Sequence, residues 1–84
     1  MASEKSRVAR MRRRLASASD ARVDEIESYL AACGWRRRTG KGAHRAWVKA
    51  GKRTLIIPVH GRRVREYVIR QVLEATQDEQ NETR

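Results

Sequence analysis

His44 follows the glycine pair Gly40 and Gly42 and heads a short run of strand-forming residues, inside a stretch that carries no acid. From Ser28 to Arg65 there are eleven Lys or Arg and no Asp or Glu. That combination suits chemistry on a phosphodiester. RNA supplies its own nucleophile, the 2′-hydroxyl, so a ribonuclease need only align it, move a proton and stabilise charge on phosphate. An imidazole with an ordinary pKa of about 6.5 can move that proton near neutrality. Surrounding cations favour its neutral form, which suits a general base. Lys41, Arg45 or Lys49 could stabilise the charge that develops on phosphorus. Gly40 and Gly42 let backbone N–H groups approach the phosphate. The run Arg36, Arg37, Arg38 adds phosphate contacts, which position RNA without reading its sequence. A second proton-transfer group would be His60, Tyr67 or a water, with His60 the best placed by position. No carboxylate lies in this region to hold Mg²⁺, so neither metal nor other cofactor is expected.

Length and composition narrow the partners. The chain has 84 residues, enough for one small domain with no separate substrate domain. A formal net charge of +10 and a pI near 11.2 point to a polyanion as partner. Cys33 is the single cysteine, which rules out an internal disulfide and a cysteine-based zinc site, and fits a reducing cytoplasmic setting. No apolar run is long enough to span a membrane, and the first residues lack the apolar segment of a secretory signal.

The elements that must position these residues follow from spacing. Residues 1–19 read as a basic extension with Arg7, Arg10, Arg12, Arg13 and Arg14; Val8, Met11 and Leu15 fall at helical spacing, so the expectation is a partly helical arm that orders on a partner or, alternatively, a disordered solvated tail. A helix is predicted over 20–33, capped by Ser19 or Asp20, with Val23, Ile26, Leu30 and Cys33 as its apolar stripe and Gly34 at its end. Three strands are predicted at 35–39, 44–49 and 53–59, with a loop at 40–43 and a turn at Ala50, Gly51 and Lys52. A closing helix is predicted over 63–76, with Val64, Val68, Val72 and Ala75 on one face, followed by a polar tail from 77 to 84. The fold class is therefore α+β, an α-β-β-β-α order in which two helices cover one face of a three-stranded antiparallel sheet.

Sheet register decides where His44 stands. A two-residue turn at Ala50 and Gly51 would set Ala46 and Val48 against Leu55 and Ile57, with His44 at the edge of the core face. A shift by one places Trp47 with Leu55 and Ile57 in the core and His44 on the open face. The second is preferred, because a core should bury the large aromatic.

Four stretches, taken in order, resemble the HicA-type toxins of bacterial type II toxin–antitoxin systems. They are Cys33-Gly34-Trp35 at the end of the first helix, Gly42-Ala43-His44, the strand Leu55-Ile56-Ile57-Pro58-Val59 with His60, and the aliphatic helix Val68 to Leu73. The similarity covers residues 20–76, with residues 1–19 additional to it, and Ala43 stands where the family usually has serine. The resemblance implies a double-stranded-RNA-binding-domain-like fold. It implies an mRNA interferase that cleaves mRNA and stops translation until neutralised by a HicB-type antitoxin, and it implies that His44 is catalytic. On this reading Gly42 shapes the loop, and Lys41, Arg45, Lys49, Arg36 and Arg38 handle the RNA. The rival readings are a non-catalytic RNA-binding module of the same fold and a DNA-associated protein that uses its arginine arm as an anchor.

Overall fold

A computed structural model describes residues 4–38, 44–59 and 61–77. The elements run α1 (Glu4–Ala16), β1 (Asp20–Arg22), α2 (Val23–Ala32), β2 (Arg36–Arg38), β3 (His44–Val48), β4 (Leu55–Pro58), β5 (Arg63–Arg65) and α3 (Glu66–Ala75). The expected α-β-β-β-α order is present as α2-β2-β3-β4-α3. The sheet is antiparallel, with strand order β2-β3-β4. Three elements were not anticipated in that order: α1 as a docked helix, and the two short strands β1 and β5.

β1 and β5 replace the first turns of the two helices predicted from residues 20 and 63. They pair antiparallel, with Ala21 opposite Val64 and both side chains buried. Asp20 does not cap a helix. Its carboxylate accepts two hydrogen bonds from Arg63 at 2.8 Å each, diagonally across the ribbon. This guanidinium holds the Asp20 carboxyl below its usual value. α2 then starts without a side-chain cap, and the first orphan donor, the Val23 amide, reaches the Arg62 carbonyl at 2.8 Å. Strand pairing across the chain thus takes the place of local capping.

α2 ends as its glycine predicts. Gly34 has φ +89°, the left-handed position that a side chain disfavours. Its amide bonds the Ala31 carbonyl at 3.0 Å, and the Trp35 amide bonds Leu30 at 2.9 Å, the paired bonds of a Schellman cap. The Lys49 ammonium adds a bond to the Cys33 carbonyl at 2.8 Å. The cap turns the chain into β2.

The register is the one that buries Trp47. Trp47 lies opposite Leu55 and Arg45 opposite Ile57. By the period-two alternation these residues share one face, which packs on the helices. Trp47 and Ile57 are buried there with Ile26, Tyr29 and Leu30 of α2 and Val68, Ile69 and Val72 of α3. Each such side chain stabilises the fold by about 1.5–3 kcal/mol. On the other face Ile56 stays 47 % exposed.

α1 is part of this domain rather than a free arm. Val8 and Leu15 are buried against the core. Arg12 turns inward and donates to the Tyr29 hydroxyl at 2.8 Å, to Thr76 Oγ1 at 2.9 Å and to the Leu73 carbonyl at 2.9 Å. Burial, the largest influence, raises the Tyr29 phenol above its ordinary 10.0, while its bonds to Thr76 and Arg12 act the other way. A raised folded-state pKa means that the native state holds the phenol proton more tightly than the unfolded chain. Its stabilisation is complete below the unfolded value and is lost as pH rises through the folded one. Stability is therefore expected to fall as pH climbs past 10.0. Melting curves taken across that range should show the fall, and Tyr29→Phe should remove this component of it.

Candidate RNA-processing face

The two faces of the sheet have different tasks. The helix-covered face carries Trp47, Leu55 and Ile57. The opposite face is the row of Ala46 and Val48 on β3, Ile56 and Pro58 on β4, and Arg36 and Arg38 on β2. Arg36 pairs with Val48 and Arg38 with Ala46, and both arginines are exposed. Position 44 opens β3 opposite Pro58 and belongs by alternation to this second row. It is the diagonal neighbour of Arg38, and such neighbours on one face stand about 7–8 Å apart. By register, position 44 therefore falls in the same row as Arg36 and Arg38. Lys41, Gly42 and His60 lie outside the described residues.

Two further cations expected to contact phosphate do not lie in the row of position 44. Arg45 falls in the row of Trp47, on the helix side, and its guanidinium donates to Glu27 Oε1 at 2.9 Å. Lys49 lies past the end of β3 and bonds the α2 terminus. The structure thus brings Arg36 and Arg38 to the face of position 44 and sets Arg45 and Lys49 to holding α2 against the sheet.

Glu27 is the residue that the charge pattern hid. It stands one residue before the acid-free stretch and, on α2, at the edge of the apolar arc of Val23, Ile26 and Leu30. An acid at that edge is the signal that could have found it. Its side chain is only 17 % exposed and meets Arg45 on β3 and, at 3.7 Å, Arg37 on β2. One carboxylate therefore ties α2 to both strands that flank the loop leading to His44. Glu27→Ala would leave the half-buried Arg45 without its charged acceptor, at an expected cost of about 1–3 kcal/mol. Urea unfolding of the variant measures it, and an unchanged midpoint would show that the pair contributes nothing.

Among the described residues no group of three or more His, Cys, Asp or Glu is placed to hold a metal ion. Nor is any described helix long and apolar enough to cross a membrane. No curated protein and no solved structure compared with the chain gave a match. The family model of the HicA toxin of bacterial toxin–antitoxin systems, however, matches residues 23–77. That match begins at the first residue of α2, runs through the sheet and passes the end of α3, so it contains both faces just described. It covers well over half of the sequence, and the chain belongs to the HicA toxin family.

Proposed function

We propose that this toxin is a metal-independent endoribonuclease that cuts mRNA and so inhibits translation, with His44 as its proton-transfer group. The observation that supports this reading is the register. Position 44 lies in the row of Arg36 and Arg38, opposite the row of Trp47 and Ile57 that the described helices cover. RNA laid on that face meets two exposed guanidinium groups beside the histidine. They hold the phosphodiester and oppose the charge that builds on its oxygens.

The chemistry follows from the substrate. His44 takes the proton of the 2′-hydroxyl as the 2′-oxygen attacks the adjacent phosphorus. The bond from phosphorus to the 5′-oxygen breaks, and the leaving oxygen takes a proton from the imidazolium, from His60 or from water. The products are a 2′,3′-cyclic phosphate and a free 5′-hydroxyl. Lys41 and Gly42, three and two residues before the histidine in sequence, supply a further cation and an amide to the phosphate. Arg45 and Lys49, held by Glu27 and by the Cys33 carbonyl, add to the positive field. A HicB-type antitoxin silences the enzyme by covering the same face, to which its own acidic groups are drawn.

The route makes the 2′-hydroxyl indispensable. An RNA carrying a single 2′-deoxynucleotide at a mapped cleavage position should bind with unchanged affinity and resist cutting there. Equal cleavage of the deoxy-substituted and unmodified RNA would refute the proposed chemistry.

A further inference from the structure

α1 lies outside the residues that match the HicA family model, which begin at 23. It is nevertheless fixed to the domain by Val8, Leu15 and the inward Arg12, so its outer surface is presented in one orientation. That surface carries Arg7, Arg10 and Arg13, all exposed. The other two arginines of the helix are engaged, Arg12 as described and Arg14 with Glu25 at 3.0 Å. Arg7, Arg10 and Arg13 have no acidic partner among the described residues, and no acid occurs between Lys5 and Ser19.

Arg13, in the last turn, is favoured by the helix dipole, but two other features of the pattern work against the helix. Like charges three residues apart repel. Arg7, moreover, closes the first turn of α1, where the helix dipole disfavours a cation. Solubility would be served as well by mixed charges. A bound polyanion relieves both costs at once.

We propose that the outer face of α1 is a second RNA-backbone site, separate from the sheet face that carries His44. α1 packs on α2 and α3, on the helix side of the domain, so one short RNA cannot lie on both faces. A longer RNA reaches from the sheet face to α1 and gains phosphate contacts there. The site reads charge and not sequence, since arginines on phosphate carry no base information. It rests on the ribonuclease reading only in taking RNA as the ligand, and it is testable without catalysis.

The test uses 2′-O-methylated RNA, which lacks the free 2′-hydroxyl and is not cut by the proposed route. The full chain is compared with the triple variant Arg7→Gln, Arg10→Gln, Arg13→Gln, in which Arg12 and Arg14 are retained. Affinity is measured against salt for an RNA of about 40 nucleotides and one of about 6. Three lost phosphate contacts should lower the slope of log K against log salt by about 2 for the long RNA and leave the short one unchanged. Matched thermal melts establish that the variant is folded. An unchanged slope for the long RNA would overturn the proposal. So would an equal loss for both lengths, or a loss of affinity for an acidic protein partner with RNA binding intact. Cleavage by a His44→Ala chain would refute the proposed catalytic role and leave this measurement standing.

Discussion

Replacing His44 by alanine is expected to lower RNA cleavage by about 10²–10⁴-fold, the usual contribution of a positioned acid–base group. The fold should be unaffected. Position 44 is the first residue of β3, and the core row of that strand is carried by Trp47 with Arg45, not by the row of position 44. Substitutions at such sites usually change stability by less than about 0.5 kcal/mol. RNA binding should also survive, because exposed Arg36 and Arg38 keep their places on β2. The expected signature is therefore a loss of turnover with affinity and melting temperature retained. Single-turnover cleavage measured beside a binding titration reads both. If affinity and turnover fell together, His44 would be a binding residue instead.

The largest expected effect on stability is at Arg12. One guanidinium meets the Tyr29 hydroxyl, the Thr76 hydroxyl, the Thr76 carbonyl at 3.1 Å and the Leu73 carbonyl. The last two are carbonyls at the C-terminal end of α3, which lack partners within the helix and lie at its negative pole. Thr76 is completely buried, so no water replaces the lost donor without a rearrangement. Hydrogen bonds from a charged donor contribute about 1.5–3 kcal/mol, and those in one network are not additive. Arg12→Ala is accordingly expected to cost about 3 kcal/mol, a large share of the 5–15 kcal/mol typical of a domain. For a chain of this size that corresponds to a fall in melting temperature of roughly 10–20 °C. Arg12→Lys should recover little, because a single ammonium does not present the forked donors that reach Thr76 and Leu73 together. Thermal melts of the two variants decide it. A shift of only a few degrees for Arg12→Ala would mean that α1 is held by Val8 and Leu15 alone.

What could be read from the sequence was what depends on local period and shape. Of the two registers left open, the one that buries Trp47 was preferred, and it is the one observed, with the row of position 44 following by period-two alternation. The stripe of Ile26 and Leu30 and the left-handed preference of Gly34 delimited the end of α2 for the same reason. What escaped was set by partners distant in the chain. Asp20 read as a helix cap because capping is local chemistry, whereas its true partner, Arg63, is 43 residues away. Arg12 read only as one of five arginines of a basic arm. Its acceptors on Thr76 and Leu73 lie 64 and 61 residues on, and nothing local announces them. Arg45 is a different case. The alternation that buries Trp47 also turns Arg45 toward the helices, so its position was legible. Its charge suggested phosphate only because Glu27, just outside the acid-free stretch, was not set against it.

If this HicA-family toxin cuts RNA with its own side chains, cleavage needs no added metal. The most direct test is incubation of the purified wild-type chain with a natural mRNA in excess EDTA, followed by analysis of the fragment ends. Discrete fragments with 2′,3′-cyclic phosphate and 5′-hydroxyl termini are expected. RNA that is bound yet stays intact, or is cut only when a divalent metal is restored, would contradict that expectation.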